Sequence, residues 1–265
     1  MYEFEYERPA NLDAALKAAN SDSAFLAGGM TLLPTLKMRL ARRSRLIDLA
    51  ALPELRGVRS VAGAIEIGAM TSHVEVQDST EVQQRLPALA RLAGGIGDPL
   101  VRNRGTIGGS IANNDPAADY PAAVLGLGAV VVTNLREIPG DRFFTGMFAT
   151  ALAPGELITR VSFPVPRRAA YLKFRNPASR YAVVGVMIAE TAGGIRVAVT
   201  GAGSQVFRLP TFEQALARRF SPEALQGLEV SSDGLNDDMH GSAAYRANLI
   251  GVIARRAVTM VAAPG

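Results

Sequence analysis

Leu26-Ala27-Gly28-Gly29-Met30-Thr31-Leu32 is the stretch on which the fold turns. It follows the apolar run Ala24-Phe25-Leu26-Ala27, a short strand candidate. It leads to Pro34, which suits the first turn of a helix through about Leu40. Leu46-Ile47-Asp48-Leu49 then reads as the next strand. The order strand, glycine turn, helix, strand is a βαβ unit. Glycine lacks a Cβ, so a turn built from it approaches a ligand closely and tolerates positive φ. Successive free N–H groups in such a turn form an anion-binding concavity. A second segment of this kind, Thr106-Ile107-Gly108-Gly109-Ser110, leaves the basic turn Arg102-Asn103-Arg104. Two such loops suggest one long, doubly charged ligand gripped twice, and a dinucleotide pyrophosphate fits.

Outward from these loops the pattern extends in both directions. Residues 11–20 keep helical spacing through Leu12, Ala15, Leu16 and Ala19, with Asn11 or Asp13 as cap. A boundary falls near Pro53-Glu54. Ala64–Ala69 alternates like a half-buried strand. Residues 81–93 are helical with an interruption at Pro87, and Gly94–Pro99 is a loop. Ala122–Val132 is small and apolar and ends in a strand at Ala129–Val132. Leu157–Phe163 is another strand, closed by Pro164-Val165-Pro166. Beyond that linker, Tyr181–Ala189 and Gly194–Val199 are apolar strands joined around Ala192-Gly193-Gly194, a hairpin signal. Residues 211–227 and 242–262 read as helices, and Tyr245, Leu249, Val252, Ile253 and Met260 of the second lie on or near one face. The expected division is 1–55, 56–166 and a separate α+β domain at 167–265.

Composition removes several classes of function. The chain has 265 residues, 48% of them apolar, enough for a sizeable core. It has no cysteine, which excludes disulfides, thiol catalysis and a cysteine-held iron–sulfur cluster in this chain. The two histidines, His73 and His240, show no zinc spacing, so no metal site is expected. No apolar run reaches the roughly 18 residues of a membrane span. The opening MYEFEYERPA has no secretory character, so cytoplasmic residence is the expectation. Net charge is +4, and the basic residues fall in short clusters such as Arg42-Arg43-Ser44-Arg45 and Arg255-Arg256 without interleaved aromatics. They read as solvated surface and partner docking rather than a nucleic-acid face.

The glycine loops match neither of two common phosphate motifs. Gly95-Ile96-Gly97, Gly126-Leu127-Gly128 and Gly201-Ala202-Gly203 all lack the third glycine of a Rossmann loop, and no Gly-Lys-Ser/Thr is present. Another scheme is needed. Leu26–Pro34, Val101–Ala112 and Asp115-Pro116-Ala117-Ala118-Asp119, in this order and spacing, resemble the FAD-binding medium subunit of molybdenum hydroxylases, the family of carbon monoxide dehydrogenase medium subunits and the xanthine dehydrogenase flavin domain. The resemblance runs almost end to end and includes the Tyr245-Arg246-x-x-Leu249 helix. It implies an α+β fold: a vanillyl-alcohol-oxidase-type FAD-binding domain of two α/β subdomains, then a small α+β flavoprotein domain.

Carried over residue by residue, the resemblance implies these roles. Leu26–Leu32 wrap the pyrophosphate through N–H groups of Gly28, Gly29, Met30 and Thr31. Thr106, Gly108, Gly109 and Ser110 grip it from the other side. Asp119 binds ribityl or ribose hydroxyls. Ile158 touches the isoalloxazine, Lys173 lies near the ring and Tyr181 covers one flavin face; Ile96 joins the cofactor-binding set. Two departures stand out. Met30-Thr31 replaces the usual His or Gln followed by Ser, and residues 133–146 form a shortened segment.

Some residues carry a second reading. Asp115 and Asp119 are paired carboxylates on one helix face if a helix starts at Pro116, but Asp115 reads better as an N-cap and Asp119 as a hydroxyl ligand. Arg102 and Arg104 read equally as phosphate partners, loop braces or partner contacts. Tyr181 is also a plausible core aromatic, and His73 reads most simply as a strand-end or loop residue. The resemblance implies an oxidoreductase subunit with no catalytic side chain of its own: electrons arrive from [2Fe–2S] clusters of a small subunit, molybdopterin chemistry occurs in a large subunit, and FAD here passes electrons to an external acceptor. The alternative is a stand-alone FAD-dependent oxidoreductase acting directly on a small molecule.

Overall fold

The computed structural model describes residues 1–262 and contains three main sheets. The first is parallel. It comprises β1 (Glu5–Glu7), β2 (Ser23–Leu26) and β3 (Arg45–Asp48), with β3 central, α1 (Leu12–Ala18) after β1 and α2 (Leu32–Lys37) crossing from β2 to β3. Asn11 caps α1, its Oδ1 accepting the Ala14 N–H at 2.9 Å. Ala15 and Ala18 bury against Ile47, Leu49, Leu52 and Leu55, so a small separate core fixes where β2 ends and Gly28 begins. α2 stops at Lys37, short of the expected Leu40, because Arg39 takes a positive φ of 60° that a helix cannot contain.

The second sheet is antiparallel in the order β4 (Val58–Val61), β5 (Ala64–Gly68), β10 (Ile158–Pro164), β6 (Val130–Thr133), β7 (Glu137–Pro139). Between β5 and β6 lie α3 (His73–Asp78), α4 (Thr80–Arg85), α5 (Pro87–Gly94), α6 (Pro99–Arg104), α7 (Ile107–Asn113) and α8 (Tyr120–Gly126). Ile65, Ile67, Val161 and Phe163 of the sheet share one core with Val76, Leu89, Ile107, Ile111 and Val124 of the helices. Pro87 divides α4 from α5 as expected. The shortened 133–146 segment holds β7, a 3₁₀ turn and β8 (Phe144–Gly146), which pairs with β9 (Ala149–Thr150).

The third sheet is an antiparallel meander of β11 (Arg168–Arg175), β12 (Ala182–Thr191), β13 (Gly194–Thr200) and β14 (Phe207–Arg208). β12 is buried over eight consecutive residues. Val184, Val186 and Ile188 face α9 (Pro210–Arg218) and α10 (Ala243–Ala262), while Met187 and Ala189 enter the middle core. A strand covered on both faces reads as a continuous apolar run, which is how this one reads. The helix expected over 211–227 is a helix to Arg218 followed by a 3₁₀ turn at Pro222–Leu225; Arg219 and Ser221 are extended, as the residue before a proline prefers. Among the described residues no helix is long and apolar enough to cross a membrane.

An ion pair between the half-exposed Arg136 and the buried Glu156 closes the loop before β10. Glu156 accepts from Arg136 Nε and Nη2, both at 3.0 Å, from Thr133 Oγ1 at 2.8 Å and from the Ala153 N–H at 2.7 Å. The hydrogen-bonded Arg136 guanidinium leads in lowering its pKa from 4.5 to about 2. A depressed carboxylate stabilises the fold above its unfolded pKa and loses that contribution as pH falls through the folded value. Glu156→Gln is therefore expected to cost about 2 kcal/mol at pH 7. Urea melts of the two proteins should diverge at pH 7 and converge at pH 2.

Candidate cofactor site

Where β2 ends, the start of α7 and the loop between β11 and β12 enclose a cleft of about 480 Å³. That lies within the usual range for small-ligand pockets. Ala27, Gly28, Gly29, Met30, Thr31 and Leu32 form one wall. Thr106, Gly109, Ser110 and Asp119 form a second, and Ile96 and Tyr181 also line the cleft.

The first wall depends on two glycines. A Cβ on Gly28 would stand 1.9 Å from the carbonyl oxygen of Arg104, so only glycine lets the two segments meet. Gly29 has φ +74° and turns the chain into α2. Among the described residues, the N–H groups of Gly28, Gly29, Met30 and Thr31 have no acceptor. Four successive unpaired donors at the wall of a cleft suit an anion with several oxygens.

The second segment differs from its expected form. It is not a loop but the opening of α7, and the basic turn before it is α6. Its donors are already used: Ile107 N–H bonds Thr71 O, Gly108 N–H bonds Ala69 O, and Gly109 N–H bonds Thr106 Oγ1 at 3.1 Å. Ser110 N–H bonds Thr106 O. Gly108 is a packing residue, since its Cβ would meet the Ala69 Cβ at 2.6 Å. What this wall offers the cleft is the open face of Gly109 and the Ser110 side chain.

Four expected site residues lie off the cleft wall. Leu26 belongs to β2 and supports Gly29 from below, its Cδ1 3.2 Å from where a Gly29 Cβ would stand. Gly108 and Ile158 line a second, mainly apolar cavity of about 230 Å³, which shares Phe25, Ala27, Gly109 and Ala112 with the first. Lys173 is buried behind Asp119 and bonds its Oδ2 at 2.8 Å, while Tyr171 Oη donates to Oδ1. Burial pushes the Asp119 carboxyl upward, opposed by Lys173 and Tyr171. Both carboxylate oxygens are thus engaged inside the protein.

Several side readings resolve. No helix starts at Pro116; Asp115 Oδ1 accepts the Ala117 N–H at 2.9 Å in a turn, and α8 begins at Tyr120. The two aspartates therefore do not share a helix face. Arg102 braces the loop, donating to Ile96 O at 3.1 Å. Tyr181 is half exposed on the cleft rather than a core residue, its hydroxyl pKa raised by burial and by Asp115 and Asp119. His73 opens α3 instead of ending a strand and lies on the cleft. Arg43, Gly97, Gly105, Ser179 and Arg180 also line it, without having been expected to. Gly105 lies within the quoted Val101–Ala112 segment, Ser179 and Arg180 directly precede Tyr181, Gly97 belongs to the Gly94–Pro99 loop and Arg43 to a basic cluster, but none of these signals pointed to the cleft.

A donor strip, a glycine-only approach and a cleft running on into an apolar cavity suit an extended, phosphate-bearing ligand. The comparisons with known proteins specify which kind. The family described as the FAD binding domain in molybdopterin dehydrogenase matches residues 2–166. The carbon monoxide dehydrogenase medium chain of Hydrogenophaga pseudoflava is 34% identical, with 96% of each chain covered. The nicotine 6-hydroxylase medium subunit of Paenarthrobacter nicotinovorans is 35% identical, over 96% of this chain and 95% of that one. The solved Hydrogenophaga pseudoflava carbon monoxide dehydrogenase, in a form lacking the Mo-pyranopterin moiety, superposes with a TM-score of 0.89 at 35% identity, covering 98% of this chain and 97% of that one. The chain belongs to this family of FAD-binding oxidoreductase components.

Proposed function

We propose that the chain is the electron-transfer subunit of a multi-subunit molybdenum hydroxylase. In this reading it takes electrons from [2Fe–2S] clusters of a small partner subunit and passes them through FAD to an external acceptor. Substrate oxidation belongs to a molybdopterin-bearing large subunit. The observation that carries the reading is the strip of four unpaired N–H groups at Gly28–Thr31, held open by the Gly28–Arg104 contact, in a chain of this family.

FAD, when bound, supplies one- and two-electron redox chemistry. The chain's residues bind and orient it. Gly28–Thr31 would donate to the diphosphate, Ser110 would face it, Asp119 would lie toward the ribityl or ribose hydroxyls, and Ile96 and Tyr181 would bound the cofactor. Gly108 and Ile158 would line the side cavity that receives one end of the dinucleotide. Lys173 would act through Asp119. The division at residues 55 and 166 fits this scheme as two cofactor-binding units and a C-terminal cover. Asp119 is tied to Lys173 and Tyr171, so the cleft holds its carboxylate in place and does not free it for proton exchange with a substrate. This favours the subunit reading over a stand-alone oxidoreductase.

Arg39 and Arg42 lie over the Tyr2 ring beside exposed Met38 and Leu40, and Arg43 reaches the cleft. With exposed Arg104 they offer a basic lip that would steer an acidic partner. Mixing the FAD-loaded chain with its pre-reduced iron–sulfur subunit should bleach the flavin absorbance. The rate should fall toward 1 M salt, where the screening length shrinks to about 3 Å. If the chain alone reduces its flavin with an organic substrate at comparable turnover, the stand-alone reading replaces this one.

A further inference from the structure

His73 is 4% exposed and lines the cleft, yet neither ring nitrogen has a hydrogen-bond partner among the described residues. Buried polar groups are nearly always hydrogen-bonded, so an imidazole left this way calls for an explanation. The ring is held firmly. Ser72 and Glu75 form a capping box at the start of α3, and the His73 N–H donates to Gly105 O at 3.0 Å. One face tilts against Tyr120, with ring centroids 5.3 Å apart.

The two nitrogens differ. Nδ1 is sealed from solvent and unpaired, whereas Nε2 is unpaired but not sealed. Gly105 keeps Nε2 uncovered, since a Cβ there would stand 2.5 Å from it. The same glycine carries the Cα that lies 3.0 Å from where a Gly28 Cβ would be, so Nε2 sits beside the donor strip. Burial, reinforced by the charge of Arg102, lowers the imidazole pKa to about 4, and the ring is neutral at pH 7. A neutral ring carries one N–H. At Nδ1 that proton would be a buried donor without an acceptor; at Nε2 it faces the cleft.

We propose that His73 Nε2–H donates a hydrogen bond to an oxygen of the dinucleotide bound in this cleft, making His73 a cofactor contact. The inference rests on the cofactor placement proposed above. It also gives a reason for keeping an unpaired polar ring in the fold: its partner is the cofactor.

The chain's two histidines make this directly observable, because ¹⁵N-histidine labelling gives two imidazoles, and His240 already faces Asn176 Nδ2 at 3.1 Å on the surface. On saturation of the full chain with FAD, the His73 Nε2 resonance should shift and that of His240 should stay. A shift reproduced by riboflavin places the acceptor on the flavin–ribityl half; one seen with FAD but not riboflavin places it on the diphosphate–adenosine half. His73→Phe keeps the ring's packing on Tyr120 and should raise the FAD Kd about tenfold without lowering the apoprotein Tm, because it removes unpaired polar atoms. His73→Gln should recover part of the affinity. An unmoved His73 resonance in protein whose absorbance shows full flavin occupancy overturns the proposal and leaves the cofactor reading intact, as does a His73→Phe Kd within twofold of wild type. Failure of the wild-type chain to take up FAD overturns both.

Discussion

Gly28→Ala is expected to weaken FAD binding by a hundredfold or more while leaving the chain folded. The added Cβ would lie 1.9 Å from Arg104 O and 2.7 Å from Arg104 C, both backbone atoms that cannot swing aside. The strip Gly28–Thr31 must then move away from the α6–α7 junction. Each N–H bond to a charged oxygen contributes about 1.5–3 kcal/mol, so misplacing two of the four donors reaches that magnitude. The core is spared, because Gly28 belongs to none of the buried clusters. Gly193→Ala, in the hairpin turn with only Thr191 Oγ1 nearby at 3.8 Å, is the control. Isothermal titration with FAD, paired with circular-dichroism melts, reads both effects. A folded Gly28→Ala protein with wild-type affinity would remove this segment from the site.

The contrast between the two glycine segments explains what was legible in the sequence. At Gly28-Gly29 the local pattern was sufficient: an apolar strand, a turn needing positive φ and a helix with an early proline admit little else. At Gly108-Gly109 the same residue type served another purpose. Glycine is a poor helix former, so the segment read as a loop. Gly108 instead allows α7 to lie against Ala69, a contact 39 positions away in the chain that no local pattern announces. The Asp119–Lys173 pair poses the same difficulty, since its partners are 54 positions apart and meet only once the third sheet packs behind α8. Periodicity gave β2, β3, β5, β6, β10, β12 and β13 and the helices α1, α2, α4, α5, α9 and α10, but not β1, β4, β11 or the short helices α3, α6, α7 and α8. Contacts between units, which decide whether a polar residue faces a ligand or another residue, came only with the fold.

Arg246→Met is expected to lower the Tm by about 10 °C, through loss of a buried guanidinium knot rather than of surface charge. Arg246 of α10 is 3% exposed. Its Nη1 donates to Val183 O at 2.6 Å and Gly201 O at 3.0 Å, its Nε to Gly241 O at 3.2 Å, and its Nη2 to both oxygens of Asp238 at 2.7 and 2.8 Å. Five bonds from one planar group match the fork geometry of a guanidinium, which an ammonium cannot reproduce. Methionine fills the volume but takes the guanidinium donor from the buried Val183 O and from Gly201 O, which keeps only Asn236 Nδ2 at 3.3 Å, while the exposed Asp238 returns to solvent. Each lost charge-assisted bond to a buried carbonyl costs about 1.5–3 kcal/mol. A protein of this size loses roughly 2–4 °C per kcal/mol. The consequence extends to the cleft. Gly201 N–H and Thr200 Oγ1 both bond Pro116 O, and Thr200 Oγ1 also bonds Ala118 O, so the strand end that Arg246 anchors holds the turn leading to Asp119. FAD at a hundredfold excess over its Kd should therefore return part of the lost stability, up to about 2.7 kcal/mol, because ligand binds only the folded form. Arg246→Lys should fall between wild type and Arg246→Met in both thermal melts and FAD titration. If Arg246→Met melts within 2 °C of wild type, the knot has no such structural weight, and the link from the C-terminal helix to the cofactor wall fails with it.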